Sequence, residues 1–107
     1  MTTTPKALNE DALPASWTTF YTVPSATKSD LVFLNFYNSN TAGVTVQVRV
    51  QNAAASQNYQ VTKITIDPEG TGQWAGLITI DEVSAVLQHI ASTASGISQT
   101  GSLREYT

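Results

Sequence analysis

Residues 31–51 decide the fold of this chain. They begin Leu-Val-Phe-Leu-Asn-Phe-Tyr (31–37), continue Asn-Ser-Asn-Thr-Ala-Gly (38–43) and end Val-Thr-Val-Gln-Val-Arg-Val-Gln (44–51). In the last part valines alternate with polar residues. Because successive side chains of a strand point to opposite faces, this alternation predicts a strand with one buried and one wet face. The first part is apolar at nearly every position, as in a strand covered on both sides. Residues 38–43 tolerate turn geometry, so the whole stretch predicts a β-hairpin.

Short strand patterns separated by turns fill much of the remaining chain. Residues 17–23 and 73–80 are rich in β-branched and aromatic side chains, whereas 25–30 and Asp-Pro-Glu-Gly-Thr-Gly at 67–72 are typical of turns. A final strand, weakened by Gly101, is predicted at 97–106. About seven or eight short antiparallel strands with regular turns predict an all-β chain that forms a small β-sandwich of the jelly-roll or Greek-key type.

Two segments carry mixed signals. The apolar positions of residues 59–66 change parity, which predicts a bulge near Lys63. Residues 81–92 fit an amphipathic helix with Asp81 in the place of an N-cap, but they also fit a strand, and periodicity leaves both interpretations open. The helical set is Val83, Val86, Leu87 and Ile90, and the set on one strand face is Val83, Ala85, Leu87 and Ala91.

Residues 1–16 lack any periodicity. They are polar and contain Pro5 and Pro14, so they predict an extended N-terminal arm in front of a sandwich domain at 17–107. Such an arm is either disordered or ordered by a neighbouring subunit, and the sequence does not separate these two states.

Composition excludes several classes of function. A length of 107 residues fits one domain, and the charged fraction of 12% is about half the usual share. The net charge is −3 and the five cations are scattered, so a nucleic-acid groove is not expected. The absence of cysteine excludes disulfides and thiolate metal sites. No signal-peptide core or membrane-length apolar run is present, so we expect a protein that stays in the cytosol or leaves it by a route other than secretion.

Residues with reactive side chains form no recognisable catalytic motif. His89 is the only histidine, and the chain has no Gly-x-Ser-x-Gly elbow that would place a nucleophile beside it. Four carboxylates near turns lack the ligand spacing of a calcium loop and are typical of solvated turn residues. These carboxylates are Asp67, Glu69, Asp81 and Glu82. The sequence therefore predicts a protein that is not an enzyme, with no catalytic, cofactor or metal site.

Aromatic residues offer an alternative function. Aromatic faces bind the apolar faces of sugars, so a cluster of them would suggest a small carbohydrate-binding module. In a small β domain, however, large aromatics are more often core or interface residues. The candidates are Trp17, Phe20, Tyr21 and Trp74.

Three segments, in their order along the chain, resemble those of small structural proteins of tailed-bacteriophage virions. They read Phe-Tyr-Thr-Val-Pro-Ser-Ala (20–26), Leu-Asn-Phe-Tyr-Asn-Ser-Asn-Thr-Ala-Gly-Val-Thr-Val (34–46) and Gly-Leu-Ile-Thr-Ile-Asp-Glu-Val-Ser-Ala (76–85). The resemblance covers residues 17–107 and implies a β-sandwich, and hence a strand rather than a helix within 81–92.

The same resemblance implies a head decoration, or cement, protein that bridges major capsid subunits on the capsid surface of the virion after synthesis in the host cytoplasm. Its expected partners are the major capsid protein and copies of itself, as a trimer, without nucleic acid, membrane, cofactor or small-molecule substrate. A tail, baseplate or adaptor module is the alternative virion role. The predicted contact residues lie in the arm, at Trp17 directly after it, and in residues 31–37, where Phe33 and Tyr37 are further candidates. The predicted contacts are Thr2, Thr3, Thr4, Pro5, Leu8, Leu13, Pro14, Trp17, Val32, Leu34 and Phe36.

Overall fold

A computed structural model describes residues 2–107, which form eight β-strands. Alternating or β-branched sequence accounts for most of them, since such residues fit a half-buried pleated surface. The strands are β1 (Thr3–Ala7), β2 (Thr18–Thr22), β3 (Lys28–Asn38), β4 (Val44–Gln51), β5 (Asn58–Ile66), β6 (Thr71–Ile80), β7 (Val86–Ala91) and β8 (Ile97–Tyr106).

The strands form two four-stranded antiparallel sheets. Sheet A has the order β1-β8-β3-β6, and sheet B has the order β2-β7-β4-β5. Consecutive strands mostly alternate between the sheets, which is the arrangement of an eight-stranded jelly roll. The predicted all-β sandwich is therefore confirmed.

The predicted hairpin of residues 31–51 is wrong. Both strands exist, and β4 has the predicted buried and wet faces, but β3 lies in sheet A and β4 in sheet B. The Asn38 side chain shapes the connection: its Nδ2 donates to the carbonyl oxygens of Ala42 at 2.9 Å and Ile66 at 3.1 Å, and its Oδ1 accepts from the Asn40 amide at 2.9 Å. The chain thus crosses the core, and the apolar faces of β3 and β4 meet instead of lying side by side.

The core fills the space between the two sheets. From β3 it receives Leu31, Leu34 and Phe36, all fully buried, and from β4 Val44, Val46 and Val48. A register shift at Val32 moves the buried positions of β3 from odd to even numbers. This bulge explains why the strand is apolar on successive residues, because Val32 and Phe33 both stay outside the core while Leu31 and Leu34 are inside.

The N-terminal segment is part of the sandwich, so the predicted separate arm at 1–16 is wrong for the described residues. β1 pairs with β8 in register from Thr3 opposite Tyr106 to Ala7 opposite Ser102. The chain then continues along β8, where the Leu8 amide donates to the Gly101 carbonyl oxygen at 3.0 Å. Leu8 and Leu13 are 4% and 0% exposed, because their side chains pack in the hydrophobic core.

Local predictions for three later segments had different outcomes. Residues 86–91 form strand β7 rather than a helix, since alternate side chains at 85, 87, 89 and 91 are buried between the sheets. In β5 the predicted change of phase exists, but the unpaired residue is Val61, between Gln60 and Thr62, and not Lys63. Gly101 does not interrupt β8, which pairs with β3 from Ile97 to Tyr106 and with β1 from Ser102 to Tyr106.

Gly101 allows a close approach of β8 to the core. A Cβ at this position would lie 2.8 Å from both the Phe33 carbonyl oxygen and Leu34 Cδ2. We therefore expect Gly101→Ala to lower the free energy of unfolding by about 1–3 kcal/mol, because the backbone of β3 must shift. Urea unfolding measures the change, with Gly43→Ala as the control, since its nearest neighbour would be at 3.6 Å. Equal stability of both variants would contradict this account.

The stability of a Leu13 variant distinguishes an N-terminal segment that packs in the core from a free arm. We expect Leu13→Ala to lower the free energy of unfolding by about 2–5 kcal/mol, the usual loss for a fully buried leucine. Asp11→Ala, at an exposed position of the same segment, should change it little. A free arm would instead leave the stability of the Leu13 variant unchanged in the same urea titration.

Candidate interaction surfaces

His89 belongs to a buried polar chain of contacts rather than to a catalytic group. Its Nδ1 lies 2.7 Å from Gln99 Oε1, and Gln99 Nε2 donates to the Leu8 carbonyl oxygen at 3.0 Å. Because the amide oxygen only accepts, Nδ1 carries the proton in this arrangement. Phe20 stacks on the imidazole with 4.5 Å between ring centroids. The partner of His89 is thus an amide, whereas a hydrolase triad would place a carboxylate at this nitrogen.

Burial lowers the pKa of His89 from its ordinary value of 6.5. The hydrogen bond to Gln99 and the negative charge of Glu10 act in the opposite direction, but burial dominates. The neutral imidazole ties sheet B, through Gln99 of β8, to sheet A and to the N-terminal segment. Periodicity did not identify Gln99 as its partner, because the two residues meet only across the core.

The depressed pKa of His89 makes stability dependent on pH. The unfolded chain takes up a proton near pH 6.5 that the folded chain does not bind. We therefore expect the His89 contribution to leave the free energy of unfolding constant between about pH 7 and pH 9 and to lower it as the pH falls from about 6.5 toward 5. His89→Asn keeps a donor toward Gln99 without titrating in this range. Urea titrations of both proteins should show a smaller pH slope in the variant, and equal slopes would contradict the assignment.

A second polar cluster joins the sheets near the chain ends. Tyr21 of β2 donates from its hydroxyl group to Glu105 Oε2 at 2.5 Å, and the Ser29 Oγ lies 2.6 Å from the Tyr21 hydroxyl oxygen. Burial and the hydrogen bond to Glu105 raise the pKa of Tyr21 to about 12, while the contact with Ser29 acts in the opposite direction. The Lys6 ammonium lies 5.8 Å from the centre of the Tyr21 ring. These groups satisfy one another and stabilise the closure of sheet A over sheet B.

The four aromatic candidates for sugar binding do not form one platform. Phe20 and Tyr21 pack in or against the core, and Trp74 packs against it from β6. Trp17 lies at sheet B, where the Arg49 guanidinium covers one face of its ring at 4.0 Å. Arg49 Nε in turn donates to Gln88 Oε1 at 2.8 Å, so the ring and the cation are held in place. These residues act as core and packing groups.

Within residues 2–107 no three His, Cys, Asp or Glu side chains come together to hold a metal ion. Glu82 accepts a hydrogen bond from the Ala53 amide at 2.8 Å and so fixes the loop between β4 and β5. The described part of the chain has no helix of sufficient length and hydropathy to cross a membrane.

The predicted contact residues are divided between the surface and the core. Leu8, Leu13, Leu34 and Phe36 are buried inside this domain, so the prediction that they contact a partner is wrong. The remaining predicted contacts differ in solvent exposure. Four in or just before β1 are exposed, namely Thr2, Thr3, Thr4 and Pro5. Three others are half-buried, namely Pro14, Trp17 and Val32.

The outer faces of the two sheets differ in chemistry. The outer face of sheet A presents Phe33 and Tyr37 on its central strand, with Asn35 between them accepting a hydrogen bond from Gln73 of β6 at 3.1 Å. The outer face of sheet B is mainly polar and carries the charges of Arg49 and Lys63, although β7 adds Val86 and Ile90 to it. Its residues on β4 and β5, placed by the strand register, are Thr45, Gln47, Arg49 and Gln51 with Thr65, Lys63, Gln60 and Asn58. Apolar surface in contact with a partner is removed from water, so the sheet A outer face is the better candidate interface.

A cleft lies between the sheets where β5 and β6 separate. At the turn that joins these strands, Gly72 packs close to Ile64 and Ile66. At their far ends the strands enclose a cleft of about 280 Å³. It is lined by Val50, Asn52, Tyr59, Ile78, Thr79, Ile80, Asp81, Glu82 and Ala85.

Comparison with known proteins gives relatives in fold only. No family model and no curated protein matches the chain. A chain in the acid-stable capsid of Helicobacter pylori bacteriophage KHP30 is 9% identical with a TM-score of 0.63, over 100% of this chain and 89% of that one. A chain of the T13 particle of infectious bursal disease virus is 12% identical with a TM-score of 0.61, over 96% of this chain but only 30% of that one.

A third similar structure comes from another kind of assembly. A chain from the Bacillus endospore appendages, which are disulfide-linked pili, is 12% identical with a TM-score of 0.58 over 99% of this chain and 87% of that one. At such identities these likenesses establish a shared sandwich fold, which is found in structural proteins of viruses and of a pilus.

Proposed function

We propose that this chain is a non-enzymatic structural protein of a bacteriophage virion, a decoration protein that bridges major capsid subunits on the head. The observation that carries the proposal is the pair of aromatic side chains, Phe33 and Tyr37, on an uncharged part of the outer face of sheet A. The domain uses its buried titratable side chains, His89 and Tyr21, to hold the two sheets together. A cement protein needs a rigid domain and a docking face, and it needs no reactive group.

Two further features support this function. The chain in the KHP30 capsid has the same fold and nearly the same length, so a single sandwich of this size occurs in a phage capsid. The domain is closed by strand pairing and buried polar contacts without cysteine, which suits folding in a host cytoplasm. The docking face would contain Phe33 and Tyr37 in place of the buried Leu34 and Phe36.

Many copies bound to a symmetric shell would add weak contacts through avidity. A trimer at a threefold position of the lattice is the assembly we propose, with the major capsid protein and neighbouring copies as partners. A tail, baseplate or adaptor position in the virion is the alternative. The carbohydrate-binding alternative has no assembled aromatic platform in the described residues to support it.

Immunogold labelling separates the virion locations. In phage particles that contain the chain, we expect an antibody raised against it to label the heads. Label confined to tails would support the tail or baseplate alternative and contradict decoration, and particles without label would contradict both.

Substitutions on the outer face of sheet A test the docking face. We expect Phe33→Ser and Tyr37→Ser to weaken binding to undecorated heads by at least about tenfold, as loss of an aromatic interface anchor commonly does. Gln47→Ser, on the outer face of sheet B, is the matched control and should bind normally. Cosedimentation with heads measures the affinity. If Gln47→Ser weakens binding and the aromatic variants do not, the chain docks through sheet B.

A further inference from the structure

The cleft between β5 and β6 combines an apolar wall with an acidic rim. Val50 and Tyr59 come from the ends of β4 and β5, and Ile78 and Ile80 come from β6 on the opposite sheet. Asp81 and Glu82 follow β6 directly and line the same cleft. An apolar side chain inserted here would leave water, while a cation beside it would meet the carboxylates.

A free backbone edge runs along this cleft. β6 is the outer strand of sheet A, so the side turned away from β3 has no strand partner. After the register shift between Phe33 and Leu31, residues 78, 79 and 80 pair regularly with β3. Their unpaired groups can accept an additional strand, which is how extended peptides add to a sheet.

The other edge strands are short or carry proline or lysine, which discourage pairing, whereas β6 is long and carries neither, although it has a register shift of its own at Gly76 and Leu77. β1 contains Pro5 and Lys6, β5 contains Lys63, and β2 is only five residues long with its own register shift. The ten residues of β6 include neither proline nor any charged residue. Proline and lysine are the usual means of protecting an edge, so β6 is the edge most open to a partner.

An exposed aromatic side chain lines the same cleft. Among residues 2–107, Tyr59 is one of four large apolar side chains that are clearly exposed, and it is 55% exposed. Tyr37 lies on the sheet A outer face, Leu77 precedes the lining residue Ile78 in β6, and Val83 lines a separate pocket. An exposed aromatic wall beside an unpaired strand edge is a feature of interaction sites.

Charge at the two ends of β6 indicates what kind of strand would fit. Asp67 and Glu69 precede β6, and Asp81 and Glu82 follow it. If two copies paired antiparallel along the whole of β6, the acidic pair before one strand would lie beside the acidic pair after the other. Like charges in such positions oppose that pairing of two copies, whereas a segment with a basic residue beside Asp81 and Glu82 fits this edge.

We propose that the β5/β6 cleft and the adjoining edge of β6 bind an extended segment of another protein, which pairs with Ile78–Ile80, inserts an apolar side chain between Tyr59 and Ile80, and carries basic residues at its ends. The binding site is distinct from the outer face of sheet A. The proposal does not depend on the role in a capsid, because it concerns the chemistry of this edge alone.

Synthetic peptides test the proposal with the full-length chain. The probe is the blocked peptide Lys-Val-Thr-Val-Thr-Val-Lys. One control has glutamate at both ends, and the other replaces both threonines by proline, which removes backbone donors but keeps the charge. NMR titration of the labelled chain should show saturable shifts in residues 50–59 and 78–85, with the amides of the β6 edge protected from exchange. We expect both control peptides to bind at least about tenfold more weakly.

Variants of the chain locate the site. Tyr59→Ser should weaken binding of the lysine peptide by at least about tenfold, because it removes the exposed aromatic wall. Tyr37→Ser, an exposed tyrosine on the other surface, should leave peptide binding unchanged, although it is expected to reduce binding to heads. The two readouts therefore separate failure of this proposal from failure of the decoration role.

Three outcomes would overturn the proposal. One is equal affinity for the lysine, glutamate and proline peptides. Another is unchanged affinity in Tyr59→Ser. The third is a concentration-dependent dimer in sedimentation equilibrium that Tyr59→Ser abolishes, which would assign the cleft to a second copy of the chain.

Discussion

The pairing of β8 with both β1 and β3 is the constraint on which the rest of the structure depends. β8 is the last strand of the chain and lies between the first strand and the central strand of sheet A. Gly101 lets it approach β3 closely, and Gln99 carries the hydrogen bonds that reach His89 on one side and Leu8 on the other. Because these contacts join residues from opposite ends of the chain, sheet A is completed only when the last strand is in place, and such non-local pairing makes folding slow.

Closure through β8 also uses the two buried titratable side chains, His89 and Tyr21. His89 is neutral, buried and bonded to an amide, while Tyr21 donates to Glu105 and has a pKa raised to about 12. Both clusters cross from one sheet to the other, so these polar side chains hold the two layers together. The surface around them includes two aromatic side chains on the outer face of sheet A, a mainly polar outer face on sheet B and a cleft with an acidic rim at the edge.

The sequence predicted faces more reliably than it predicted partners. Alternation from Val44 to Gln51 correctly assigned inward and outward side chains, because that property depends only on the period of a strand. The hairpin was wrong, since a turn between two strands fits both pairing within one sheet and crossing to another. The N-terminal segment was also misjudged: Leu8 and Leu13 are two apolar residues without a period, and only their burial beside β8 shows that the core requires them.

The predicted docking residues show the same difference between what local patterns predict and what contacts between distant segments decide. Leu34 and Phe36 were predicted to contact a partner subunit that covers the outer face of their strand. The bulge at Val32 instead turns both side chains toward the core and leaves Phe33 outside it. By itself the sequence determined the all-β class, most of the strands after residue 16 and the lack of a catalytic motif, because those follow from local periodicity and residue type. Only the tertiary structure decided which strands pair, which apolar residues remain exposed and where the sheets part to form a cleft. Those features arise from contacts between distant segments, on which local patterns carry no information.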